Sequence, residues 1–70
     1  MAEILKKLGE SIKTQRENLC LSQEKLAEKC GLDRTYISLL ERGKRNPSLS
    51  NLLKVASGLE ISISELTKDI

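Results

Sequence analysis

Apolar residues recur three and four positions apart along almost the whole 70-residue chain, and nowhere do they alternate with polar ones long enough to make a strand. That pattern restricts the chain to helices, and strong start and stop signals cut it into short ones. The first predicted helix covers about residues 2–18, with Ile4, Leu5, Leu8, Ile12 and the stem of Arg16 on one face. Ser22 is an N-cap for a second that runs through Glu28 and Lys29 with Leu26 and Ala27 inward, and Gly31 supplies the turn after it. Asp33 caps a third, which extends to about Arg42 and is stopped by Gly43. Pro47 and Ser48 open a fourth, with Leu49, Leu52, Leu53, Ala56 and Leu59 expected on its inner side. Ser62 and Glu65 fit a capping box that starts a short fifth helix carrying Ile63 and Leu66. The expected fold class is all-α: five short helices in a single domain spanning residues 1–70, with no linker, repeat or low-complexity segment.

Several function classes lose ground on composition. There is no His, Trp or Phe, and Tyr36 is the only aromatic residue. Without histidine the commonest general base and a common zinc ligand are both missing. No nucleophile–base pair or ligand cluster is evident, so neither an enzyme nor a metal site nor a cofactor is expected. Cys20 and Cys30 form no CxxC pair and read as small, partly buried residues at helix ends rather than as a disulfide. No apolar run approaches the roughly 18 residues of a membrane span, and the N-terminus, with Glu3 and Glu10, lacks the pattern of a signal peptide. A cytoplasmic location with no membrane contact is the expectation.

The formal net charge of +2 hides an uneven distribution. Residues 1–33 balance to zero, and residues 55–70 are acidic. Residues 34–54 hold Arg34, Arg42, Lys44, Arg45 and Lys54 against Glu41 alone. Such a segment is the electrostatic footprint of a phosphate-binding surface, although a solvated basic loop would read the same way. Its position gives it more meaning. Two helices joined by a turn at Gly31 and Leu32 make a helix-turn-helix over about residues 22–42, a motif whose second helix can enter the major groove. At ~100° per residue, Arg34, Ser38, Arg42, Thr35 and Leu39 share one side of that helix. Tyr36, Ile37 and Leu40 lie opposite, which leaves a short, polar, basic face turned outward.

The string Ser22-Gln23-Glu24-Lys25-Leu26-Ala27-Glu28-Lys29-Cys30-Gly31-Leu32 resembles the core of the Cro/XRE family of phage-repressor-like helix-turn-helix proteins. The resemblance continues through Tyr36-Ile37-Ser38 and Glu41-Arg42-Gly43-Lys44-Arg45-Asn46-Pro47-Ser48, and covers about residues 8–66. Within the family, Leu32 to Ser38 followed by Arg45-Asn46 is most similar to the small controller proteins of restriction–modification systems. The resemblance implies a lambda-repressor-like fold and sequence-specific binding of double-stranded DNA. It also implies roles for individual residues. Arg34 and Thr35 would read bases, with Ser38 and Leu39 at the next turn, and Arg34 suits bidentate pairing with guanine. Gln23 would contact a backbone phosphate, and Lys44, Arg45 and Asn46 would grip phosphate or reach the minor groove. Tyr36 and Arg42 would join these groups at the DNA backbone or minor groove, although for Tyr36 packing with its hydroxyl at the surface is the favoured alternative. Arg16 and Glu41 would form a structural ion pair between the first helix and the end of the recognition helix.

The expected function is therefore a transcriptional regulator that binds a palindromic operator as a homodimer and regulates its own synthesis, with no small-molecule effector expected and with restriction–modification control as one setting. A dimer interface is expected from Leu59, Ile61, Ile63, Leu66 and Ile70. The same residues admit an antitoxin-like protein that neutralises a partner and binds its own promoter, or the DNA-binding module of a longer repressor. Three departures from the family pattern stand out. Cys20 and Glu60 occupy positions where glycine is usual after a helix, Gly58 replaces an alanine inside the fourth helix, and Gln15 replaces an apolar residue on the first. Each left-handed non-glycine residue, and Gly58, is expected to cost about 1 kcal/mol.

Overall fold

A computed structural model describes residues 1–70. It contains α1 (Ala2–Asn18), α2 (Gln23–Cys30), α3 (Arg34–Glu41), α4 (Leu49–Gly58) and α5 (Ile63–Leu66), and no strand. The hydroxyls of Ser22, Ser48 and Ser62 accept hydrogen bonds from the backbone N–H groups of Lys25, Asn51 and Glu65, each at 3.0–3.1 Å. These three serines satisfy N–H groups that the first turn of a helix otherwise leaves unpaired. Two expected caps differ in detail. Asp33 has the extended backbone of a cap residue, but its side chain makes no cap bond. Glu65 turns to Lys68, 2.8 Å away, so the capping box forms only its serine half.

Four helices end in the same way. After α1, Leu21 N–H donates to the Arg16 carbonyl and Cys20 N–H to that of Glu17. The same pair of bonds follows α2 at Gly31, α3 at Gly43 and α4 at Glu60. This Schellman arrangement requires one residue of positive φ. Gly31 and Gly43 supply it at 69° and 70°, Cys20 and Glu60 at 58° and 62°. Glu60 has a compensating contact: its carboxylate lies 2.7 Å from Lys29 Nζ, and that hydrogen bond holds it below the usual carboxylate range.

Eleven residues from all five helices or their ends form one core: Leu8, Ile12, Leu26, Ala27, Cys30, Ile37, Leu40, Val55, Ala56, Leu59 and Leu66. Helix α3 packs against α1 and α2, while α4 packs against α2 and α5. The core corrects several expectations. Leu59 and Leu66, assigned to a dimer surface, are each 1% exposed and belong to the interior. Of that set only Ile70 is freely exposed, and Ile61 and Ile63 lie half-buried against the core. On α4 the buried stripe is Leu52, Val55, Ala56 and Leu59, which turns Leu49 and Leu53 outward at 69% and 53% exposure. Leu53 is rotated away from the centre of that stripe, whereas Leu49, seven positions from Ala56 and so near its edge, is exposed because it opens the helix ahead of the buried turns. Ile4 also faces out, one turn before α1 meets the core, and Cys20 is exposed rather than partly buried.

Gly58 has a specific reason. A Cβ built there would lie 2.5 Å from Cys30 Sγ, inside the core. The thiol occupies volume that an alanine methyl would need, so two neighbouring helices share one space between a cysteine and a glycine. Replacing Gly58 with Ala should therefore destabilise the protein despite alanine's better helix propensity. The double variant Cys30→Ala/Gly58→Ala should regain most of the loss, with coupling of about 1–2 kcal/mol in urea denaturation. Additive single effects would show that the two residues do not compete.

Candidate nucleic-acid interface

Helix α1 sets the position of the recognition helix α3 through two residues seven apart, hence on one face. At Gly9 the missing side chain lets the end of α3 come close, since a Cβ would lie 2.5 Å from the Leu40 carbonyl oxygen and 2.6 Å from that of Glu41. At Arg16 the guanidinium forks onto the Glu41 carboxylate, with Nε donating to Oε2 at 2.6 Å and Nη2 to Oε1 at 3.1 Å. Its remaining nitrogen, Nη1, donates to the Leu21 carbonyl at 2.7 Å. The side chains of Arg16 and Glu41 are only 12% and 3% exposed. The hydrogen bond that Arg16 donates to Glu41 raises the Arg16 pKa above its ordinary value, opposed by burial.

Glu41 accepts a third bond, from Gln23 Nε2 at 3.0 Å. Arg16 of α1 and Gln23, the first residue of α2, are thus fastened to the same carboxylate at the end of α3. Gln23, expected at a phosphate, is half-buried and directs its amide inward here. It still lies with Arg34 along an open groove lined by Arg16, Ser22, Gln23, Glu24 and Arg34.

The outward face of α3 carries Arg34 and Thr35 exposed, with Ser38 and Leu39 half-buried behind them. Ile37 and Leu40 are buried on the opposite side, so the two-faced wheel expected of this helix is the arrangement observed. Arg42 is exposed and its Nε reaches back to the Ser38 carbonyl at 3.4 Å. Lys44, Arg45 and Asn46 project from the loop between α3 and α4. The protein makes four ion pairs, and none involves Arg34, Arg42, Lys44, Arg45 or Lys54. Glu41, the one acid of that stretch, is neutralised by Arg16. A positive surface without internal counterions is what the geometry presents, and such a surface attracts polyanions.

Tyr36 is half-buried against the core, with the Arg45 guanidinium 5.1 Å above its ring and its hydroxyl accepting from Asn51 Nδ2 at 3.2 Å. Sequence reading missed Asn51 and Gly9. Their roles depend on helices meeting across the fold, and no local pattern announces either one.

A family model described as a helix-turn-helix, HTH_3, matches residues 12–66. The control protein C.MunI of a Mycoplasma species is 49% identical over 71 aligned positions, which cover the whole of this chain and 96% of that protein. Among solved structures, the restriction–modification controller protein C.AhdI from Aeromonas hydrophila superposes with a TM-score of 0.87 at 48% identity, over 89% of this chain and 94% of that one. C.Esp1396I, solved as a tetramer in complex with its natural 35-base-pair operator, gives a TM-score of 0.87 at 39% identity, over 94% and 87%.

Removing Arg16 leaves Glu41 buried without its cation, which is costlier than the pair's net worth. Arg16→Ala should lower stability by about 3 kcal/mol in urea denaturation, and DNA affinity should fall with it. A variant of unchanged stability that no longer binds DNA would show that Arg16 contacts DNA rather than holding α3. By sequence and by structure the chain belongs to the HTH_3 helix-turn-helix family and is similar to these restriction–modification controller proteins.

Proposed function

We propose that this protein is a sequence-specific, double-stranded-DNA-binding transcriptional regulator of the restriction–modification controller type, acting in the cytoplasm as a homodimer on a palindromic operator. The observation that carries this reading is the outward face of α3. Arg34 and Thr35 stand free at its start, and Lys44, Arg45 and Asn46 continue the cationic surface beyond its end. Arg34 inserted first can pair with guanine O6 and N7, while Thr35 can bond a base edge or touch a thymine methyl. The loop cations would neutralise phosphates and fix the depth and register of the helix. Similarity to a controller protein solved on its operator supports the same reading. Nothing here calls for chemistry on the DNA, and no helix is long and apolar enough to cross a membrane.

The dimer surface needs revision, because Leu59 and Leu66 are committed to the core. Two recognition helices must lie ~34–36 Å apart to read successive turns of a major groove. One protomer measures only 27 × 22 × 21 Å, so two protomers must meet on a side away from α3. Helices α1 and α2 hold α3, while α4 packs chiefly on α2 and α5 on α1 and α4, so the main contacts of α4 and α5 are not with α3. A second copy therefore meets the α4–α5 side, where Leu49 and Leu53 stand one turn apart and exposed, with Ile61, Ile63 and Ile70 nearby in sequence. Leu53→Glu should shift the sedimentation equilibrium toward monomer at unchanged thermal stability. A Leu53→Glu protein that remains fully dimeric would place the contact elsewhere.

Selection of bound duplexes from a random pool should return a palindrome with half-sites one helical turn apart. Arg34→Ala should relax one base position per half-site, a loss of about 1–3 kcal/mol of discrimination. Lys44→Ala should instead weaken binding on every sequence and flatten the dependence of log affinity on log salt by about one unit per protomer. Binding that is salt-dependent but indifferent to sequence would reduce the basic surface to a phosphate anchor and overturn the reading.

A further inference from the structure

The only aromatic ring of the chain sits where three separate elements converge. Tyr36 belongs to the first half of α3, Arg45 to the loop after it, and Asn51 to the first turn of α4. The Arg45 guanidinium lies 5.1 Å from the ring centroid, within the ~6 Å over which a cation is attracted to an aromatic face. Asn51 Nδ2 donates to the Tyr36 hydroxyl at 3.2 Å. Asn51 is itself fixed, because its backbone N–H donates to the Ser48 cap at 3.1 Å. A continuous set of contacts thus runs from the start of α4 through the phenol to the loop cation.

We propose that Asn51 is a positioning residue for DNA binding: by anchoring the Tyr36 hydroxyl it fixes the ring on which Arg45 rests, and so holds Arg45 beside the recognition helix before DNA arrives. The inference rests on the DNA-binding reading above. An exposed arginine ordinarily samples many rotamers and loses that freedom on contact. One already laid on an aromatic face loses less, which is how preorganisation raises affinity without adding a contact. Asn51 needs no contact with DNA to have this effect. Tyr36 cannot do the same alone, because a ring without an anchored hydroxyl can tilt about χ1 and χ2 and take its cation with it.

Two readouts separate this inference from the reading beneath it. In the free protein, Arg45 Hδ and Hε should show upfield ring-current shifts by NMR, and both Asn51→Ala and Tyr36→Phe should reduce them while Ile37 and Leu40 signals stay put. On the duplex selected from the random pool, each single variant should bind about two- to fivefold more weakly, the order expected from an exposed cation–π contact. The Asn51→Ala/Tyr36→Phe double variant should lose no more than either alone, and in an Arg45→Ala background Asn51→Ala should have no further effect. Unchanged Arg45 shifts in both variants would overturn the proposal, as would additive losses of affinity. Tyr36→Phe removes only the hydroxyl and leaves the apolar ring to fill its site against the core, so the test stands even if Asn51→Ala lowers stability. Wild-type protein that shows the ring-current shifts but selects no duplex would refute the DNA-binding reading and leave the relay of contacts in place.

Discussion

The recognition helix is presented by one buried carboxylate. Glu41 receives three hydrogen bonds, two from Arg16 and one from Gln23, and these come from the two helices that flank α3. A carboxylate removed from water is costly, and only donors on every side make it tolerable. That requirement gives the interaction its directional value. Apolar packing of Ile37 and Leu40 fixes how deeply α3 sits, yet such contacts are non-directional and allow rotation. A forked guanidinium on a planar carboxylate permits little of it. Gly9 works in the same direction, because the carbonyls at the end of α3 rest where a side chain of α1 would have been.

This arrangement also separates the electrostatics of scaffold and surface. Neutralising Glu41 from within removes the single negative charge from the basic stretch, so the five cations of residues 34–54 act outward without opposition. The remaining ion pairs join Lys25 to Glu28, Lys29 to Glu60 and Lys68 to Glu65, all with exposed carboxylates. Such pairs contribute little individually. Their effect is to consume acidic and basic groups away from α3, which sharpens the contrast between one face of the protein and the rest.

Much of this was legible in the sequence, for identifiable reasons. The helix starts were readable because serine caps act within three residues, and three of the caps bond as serines there should. The left-handed residues at Cys20 and Glu60 were readable only through the family resemblance, which places glycine at both positions. The two faces of α3 followed from its period. What failed depended on distance in space. Leu49 and Leu53 carry the same hydrophobicity as Leu52 and Leu59, and only the orientation of α4 against α2 and α5 decides which of them is covered. The same holds for Leu59 and Leu66, whose apolar character fits a dimer surface or an interior equally well. Gly58 looked like a weak point until Cys30 was found in the space beside it.

The two cysteines, alike in sequence, are chemically distinct in the folded protein. Cys30 is enclosed in the core, and burial pushes its thiol pKa up, which suppresses the thiolate that oxidants and alkylating reagents attack. Cys20 lies in the open turn after α1. A maleimide added to native protein will therefore find one thiol and ignore the other, so a fluorophore can be attached at a single defined point with no engineered cysteine.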